Sequence, residues 1–172
     1  MKVINLFGGP GSGKSTIAAG LFYEMKLLHK NVELVTEYAK DLVYSETFHA
    51  LKKNQQFIFA EQNRRQKILK DKVDWAITDS PLLLSHVYGD LDDVTTEAFF
   101  ALVSETFQSY DNVSFYIKRP EQFSEIGRAH NLSQSEEIDV AIFKVLQEEY
   151  EPFFYIKADN NAVGKILSHL VL

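Results

Sequence analysis

Short apolar runs alternate along this chain with longer segments whose apolar positions recur at helical spacing. Val3-Ile4-Asn5-Leu6-Phe7, Val32-Glu33-Leu34-Val35-Thr36, Trp75-Ala76-Ile77-Thr78, Val113-Ser114-Phe115-Tyr116-Ile117-Lys118 and Phe153-Phe154-Tyr155-Ile156-Lys157 read as five strands. Helices are expected from Lys14 to about His29, from Asn54 to about Lys70, from Thr95 to Gln108 and from Asn160 to Leu170. Ser133 with Glu136 reads as a capping box opening one more helix that reaches about Tyr150, and Asn31 reads as the break after the first. Strands separated by helices require crossover connections, so the expected class is α/β with a mainly parallel sheet. The chain shows no repeat, low-complexity tract or linker, and its 172 residues suit a single domain over 1–172.

The first strand runs into Gly8-Gly9-Pro10-Gly11-Ser12-Gly13-Lys14-Ser15, which fills the pattern G-x-x-x-x-G-K-[ST], and Thr16-Ile17-Ala18-Ala19 continues as a helix. That order has a mechanism. Glycines let backbone N–H groups turn inward around phosphate oxygens, and the N-terminus of the next helix adds its positive dipole end. Gly9, Pro10, Gly11, Ser12, Gly13, Lys14, Ser15 and Thr16 are therefore assigned to ATP, with Lys14 on the β- and γ-phosphates and the Ser15 hydroxyl on Mg²⁺.

A phosphate loop does not by itself choose a reaction; the carboxyl ends of the other strands do, because ligands of open parallel sheets bind there. Strand three ends at Asp79, a carboxylate expected to face Mg²⁺ or the acceptor, with a helix N-cap before Pro81 as the bland alternative. Strand two runs into Glu37 and Tyr38 on the acceptor side, where Glu37 is a candidate to take or orient a hydroxyl proton. A solvated Glu in a first helical turn is the competing reading. Residues 119–132 are polar, contain Gly127 and carry Arg119 and Arg128, as a lid that brings guanidinium groups to a transferring phosphoryl would. In the helix from Asn54, Gln62 and Arg65 fall four and seven residues after Ile58, on a stripe with Phe57, Ile58, Ile68 and Leu69, and are candidates to line the acceptor pocket.

Composition narrows the classes further. The chain has no cysteine, which excludes disulfides, thiolate zinc sites and cysteine nucleophiles and fits a reducing cytoplasm. No apolar run approaches the length of a membrane span, and the N-terminus leads straight into a strand without a signal peptide. Eighteen basic against 24 acidic side chains give a net charge of −6, which disfavours a nucleic acid as an unaided partner. The five histidines show no metal-ligand spacing, and only His130, inside the lid segment, stands near the expected chemistry.

The phosphate loop, the Thr36-Glu37-Tyr38-Ala39-Lys40 segment, Asp79 and the Gly127-Arg128 pair together resemble the small P-loop kinases, above all the nicotinamide-riboside-kinase-like group within the nucleoside and thymidylate kinase class. The resemblance covers nearly the whole chain. It implies a P-loop NTPase three-layer fold with strand order 2-3-1-4-5 and a short lid, Glu37 near the acceptor, and Arg119 and Arg128 in the lid. Many nucleoside and thymidylate kinases carry an arginine after the acidic residue of strand three, whereas Ser80 follows Asp79 here, so an acceptor-binding guanidinium is missing at that point.

The leading expectation is an ATP- and Mg²⁺-dependent kinase acting on a hydroxyl of a small nucleoside- or nucleotide-like acceptor, in the cytoplasm and compatible with a homodimer. A second expectation keeps the chemistry but takes a hydroxymethylated uracil in viral DNA as acceptor, with Lys40, Lys52, Lys53 and Arg64 as its basic surface and the host cytoplasm as its place. A GTPase switch is remote, because Ile156-Lys157-Ala158-Asp159 lacks the first residue of the guanine-reading pattern [N/T]-K-x-D. A mechanical ATPase is equally remote, since the chain leaves no room for a further helical domain.

Overall fold

The computed structural model describes residues 1–46, 54–89, 96–120, 132–149 and 151–170. Its strands are β1 (Lys2–Phe7), β2 (Val32–Val35), β3 (Trp75–Thr78), β4 (Asp111–Lys118) and β5 (Phe153–Lys157). They form one sheet of order β2-β3-β1-β4-β5, and all four pairings are parallel. The helices are α1 (Lys14–Leu27), α2 (Tyr38–Tyr44), α3 (Gln55–Lys67), α4 (Leu84–Gly89), α5 (Glu97–Gln108), α6 (Leu132–Glu148) and α7 (Ala162–His169). The expected class and strand order are the observed ones.

Successive strand residues point to opposite faces, and this parity divides the core into two layers. Ile4 and Leu6 of β1, Ile77 of β3 and Phe115 and Ile117 of β4 face one side, against Ile17, Ala18, Leu21 and Met25 of α1 and Ile166 of α7. Phe7 and Tyr116 face the other, against Phe59 of α3, Val87 of α4, Phe99, Val103 and Phe107 of α5 and Ile138, Ile142 and Leu146 of α6. Helices on both faces bury all of β3 and most of β1, which is why those strands read as mainly apolar runs. Because every strand runs the same way, all five C-terminal ends meet along one edge.

Local chemistry moves several expected boundaries. His29 adopts φ 56 and the Lys30 N–H donates to the Met25 carbonyl at 3.0 Å, so α1 closes before Asn31 in a Schellman-type end. The Asn31 carbonyl instead accepts from the N–H groups of Asp74 and Trp75, docking the start of β3. Helix α6 is already helical at Leu132, so Ser133 lies within its first turn rather than at a cap. The core-facing stripe of α3 is also not the expected one. Phe57 and Ile68 are 43% and 50% exposed, while Gln55, Phe59, Gln62 and Gln66 form the buried face. A polar face is buried there because its partners, α2 and α4, offer backbone and hydroxyl groups.

Phe115 is fully buried between the sheet and the α1–α7 layer, beside the Phe154 ring at 5.4 Å. Phe115→Ala is expected to lower unfolding free energy by about 3–5 kcal/mol, read as a shifted urea midpoint at constant slope.

Candidate active site

The turn from β1 to α1 lies at the centre of the sheet's C-terminal edge. Gly13, at φ 96, takes a left-handed conformation that a side chain rarely adopts and sits at the N-cap of α1. That helix has no side-chain cap and no acidic residue in its first turn. Helices α3 and α5, by contrast, are capped by Asn54 and Thr96. The first N–H groups of α1 are thus left without a side-chain acceptor, as an anion-binding helix start requires. Gly9 is needed for a different reason: a Cβ there would lie 2.7 Å from both the Asp139 carboxylate and the Ser135 carbonyl.

Lys14 folds back along this turn, donating to the carbonyls of Gly8 at 2.5 Å and Gly9 at 2.9 Å. Burial draws its ammonium down from an ordinary 10.5 to about 8, although the carboxylates of Glu37, Asp79 and Asp139 pull the other way. Those three acidic residues come from the ends of β2 and β3 and from α6, and the strand order brings them together.

Asp79 follows β3 directly, and the Ser80 N–H donates to Thr78 Oγ1 at 3.1 Å, which holds the turn. The carboxylate is buried, and its Oδ1 has no hydrogen-bond partner. The N-cap reading does not describe it, since α4 begins only at Leu84 after a turn closed by the Leu84 N–H on the Pro81 carbonyl. Glu37 occupies the N-cap position of α2 but makes no capping hydrogen bond with its side chain. Burial pushes its carboxyl above the ordinary value, against the opposing pull of Lys14 and Lys40. Lys40, in the first turn of α2, donates to Ser15 Oγ at 2.9 Å and stands 3.9 Å from Asp79 Oδ2.

Other expected site residues have definite neighbours. Gln62 Oε1 accepts from the Tyr38 N–H at 2.9 Å, and its Nε2 donates to the Thr36 carbonyl at 3.3 Å. Arg65 pairs with Asp41, lies 4.9 Å over the Tyr38 ring and reaches Thr36. Gln62 and Arg65 therefore brace the β2–α2 junction from behind. Arg119 donates to the Pro10 and Ser135 carbonyls and pairs with Asp139 at 2.8 Å, so it packs on the phosphate loop itself. Arg128 and most of the lid segment lie outside the described residues. Of the cations suggested for a DNA surface, Lys40 turns to Ser15 and Asp79 and Arg64 pairs with Glu61, while Lys52 and Lys53 lie outside the described residues.

Sequence reasoning missed two groups. Asp139 accepts from the Gly9 N–H at 2.5 Å, and its signal was a carboxylate beside Ser135 where the apolar stripe of α6 should continue. Tyr88 of α4 lies close enough to Glu37 and Asp139 that burial and both charges push its phenol upward, keeping it protonated. Nothing in the spacing of Tyr88 announced that position.

The residues fit ATP and Mg²⁺. The loop offers uncapped N–H groups and a lysine, while Asp79 Oδ1 and the Ser15 hydroxyl are hard oxygen donors suited to Mg²⁺. Among the described residues no group of three His, Asp or Glu side chains is placed to hold a metal ion by itself. Nor is any helix among them long and apolar enough to cross a membrane.

A family model for the AAA domain matches residues 3–161, and the chain belongs to that family. No curated protein sequence matches it. Among solved structures, it is similar to thymidylate kinase from Ehrlichia chaffeensis, with a TM-score of 0.65 and 13% identity over 98% of this chain and 97% of that one. It is also similar to the NadR protein in complex with NR, with a TM-score of 0.69 and 16% identity over 99% of this chain and 52% of that one. At these identities the likeness is one of fold, and the fold is that of P-loop kinases.

The lowered Lys14 value carries a stability consequence. Below about 8 the folded protein holds a charged ammonium against burial, and unfolding relieves that cost. The cost fades as pH rises from there toward 10.5, where the unfolded chain also loses the proton. Lys14→Met is therefore expected to abolish ATP binding and yet raise the melting temperature of the nucleotide-free protein by a few degrees near neutral pH, on the order of 1 kcal/mol. Thermal melts across this range should show the gain shrinking; an unchanged neutral-pH melt would contradict the assignment.

Proposed function

We propose that this member of the AAA domain family is an ATP-dependent kinase that transfers the γ-phosphoryl group to a hydroxyl of a small nucleoside-like acceptor. The observation that carries this reading is Glu37. Its carboxyl is raised by burial, makes no capping bond and stands within electrostatic reach of Lys14 and Asp79. A group whose proton affinity lies above that of a solvated carboxylate is suited to accept a hydroxyl proton during attack. A Glu kept only for the helix dipole would lie in solvent instead.

In this mechanism the loop N–H groups and Lys14 bind the donor phosphates, exchanging the Gly8 and Gly9 carbonyls for phosphate oxygens at the ammonium. Mg²⁺, when bound by Ser15 and Asp79, supplies charge neutralisation at the phosphates. Glu37 takes the proton of the acceptor hydroxyl as that oxygen bonds to the γ-phosphorus, and the bond to the bridging oxygen breaks to release ADP. Tyr88, kept protonated beside Glu37, is a donor that orients the carboxylate or the acceptor. Arg119 and Asp139 fix the outer side of the loop, and Arg128 is proposed to close over the transferring group from the lid. Tyr38, held by Gln62 and Arg65, frames the acceptor side. Two solved structures of this fold, one named a thymidylate kinase and one holding NR, support a small acceptor.

The family match favours one second reading, an ATPase in which Glu37 orients water. Mg²⁺-dependent ADP release, measured with and without acceptors, separates the two. Turnover is expected with free nucleosides or nucleotides; turnover only with DNA carrying hydroxymethylated bases would change the acceptor class, and ADP release indifferent to every acceptor would favour the ATPase. Glu37→Gln is expected to lower kcat by about 10²–10⁴-fold with ATP affinity nearly unchanged. Equal losses in both would remove Glu37 from the acceptor side.

A further inference from the structure

Lys40 is a cation of the site whose position the phosphate-loop pattern does not explain. Its ammonium lies 2.9 Å from Ser15 Oγ and 3.9 Å from Asp79 Oδ2, between the two groups that fit Mg²⁺. Asp79 is nearly fully buried, with 6% of its side chain exposed, whereas the Lys40 side chain is 47% exposed and reaches inward from the rim. The buried carboxylate needs a counter-charge when no metal is present, and among the described residues Lys40 is the cation paired with it. Helix α2 itself is tied down through Gln62 to the Tyr38 N–H and through Arg65 to Asp41. What can move is therefore the flexible lysine side chain and not the helix.

From this geometry we infer that Lys40 is a positioning residue that occupies the Mg²⁺ seat in the nucleotide-free enzyme and is displaced when metal and nucleotide enter together. The inference rests on the nucleotide-site reading above. Lys40 holds the Asp79 carboxylate aimed while the site is empty, and it lends positive charge to a nucleotide that arrives without metal. Two cations cannot share the space between Ser15 and Asp79, so metal entry expels the ammonium. Lys40 and Mg²⁺ are thus negatively coupled, and each weakens the other's hold on the site. On its release the ammonium remains on α2, one turn from Glu37 and on the acceptor side, so donor loading and the charge offered to the acceptor change together.

The test is the affinity for ATP, measured by titration calorimetry in EDTA and in excess Mg²⁺, for the wild type, Lys40→Met and Lys40→Arg. Removing the ammonium should weaken metal-free ATP binding and leave metal-loaded binding equal or tighter. The ratio of Kd in EDTA to Kd in Mg²⁺ is expected to rise by about tenfold in Lys40→Met. Lys40→Arg, which retains the charge, should stay near the wild-type ratio. An equal loss under both conditions would make Lys40 an ordinary phosphate contact, and an unchanged affinity under both would make it a surface lysine; either overturns the proposal while leaving the nucleotide site intact. Failure of the wild type to bind ATP under both conditions would instead overturn the nucleotide-site reading, and this inference with it. Because Lys40 reaches in from an exposed position, a circular dichroism melt of each variant is expected to match the wild type; a collapsed melt would give Lys40 a folding role and overturn the metal-seat assignment.

Discussion

The sheet's C-terminal edge is organised around a single electrostatic difficulty, the ammonium of Lys14 held partly out of water. Burial works against its charge, and the chain answers with carboxylates from three different elements: Glu37 after β2, Asp79 after β3 and Asp139 from α6. Those carboxylates in turn need cations, and Arg119 pairs with Asp139 while Lys40 stands at Asp79. Three positive and three negative groups thus balance one another without any ligand. Such a cluster is a poor way to stabilise a fold, because desolvation consumes most of the Coulomb attraction. It is a good way to keep a site poised, because an entering polyphosphate finds donors already oriented and exchanges partners in place of building a new environment.

Parallel topology makes that cluster possible. Only when all strands run one way do the ends of β1, β2 and β3 meet, and the order β2-β3-β1 sets Asp79 beside the phosphate loop with Glu37 one strand further out. The phosphate loop and Glu37 are thus separated by one intervening strand, β3. The apolar layers beneath, built on Ile4, Leu6, Ile77, Phe115 and Ile117 on one face and Phe7 and Tyr116 on the other, leave the strands little freedom to shift. Rigidity in the core is what allows the charged edge to be held in position.

How much of this could be read from residues alone depends on how local its cause is. Strand runs, the α/β class and the Gly8–Ser15 loop depend on periodicity and on backbone demands within a few residues, and they are visible as pattern. Asp79 and Glu37 were legible because each ends an apolar strand. Asp139 was not, since its role depends on α6 crossing over Gly9, a contact 130 residues apart. Tyr88 was hidden because α4 has only six residues, too few for a period to show. Lys40 looked like a member of a basic surface until the geometry turned it inward. The α3 stripe was misjudged for a related reason: a helix is expected to bury its apolar residues, yet here three glutamines face inward.

Those glutamines indicate where the chain sets specificity above packing. Gln62 satisfies the Tyr38 N–H and the Thr36 carbonyl, two backbone groups at the junction that carries Glu37, and Gln55 donates to Ser85 Oγ at 3.2 Å. An apolar residue at position 62 would pack as well but remove the acceptor of the half-buried Tyr38 N–H and leave the Thr36 carbonyl to Arg65 alone, at a cost of about 1 kcal/mol or more. A shorter amide could not reach both at once. The glutamine therefore fixes the start of α2 in one orientation, and with it the direction of Glu37, one residue upstream of the bonded N–H. Glu37 is aimed by a side chain on another helix, which is how a buried polar face on α3 earns its place in a fold otherwise sealed by hydrocarbon.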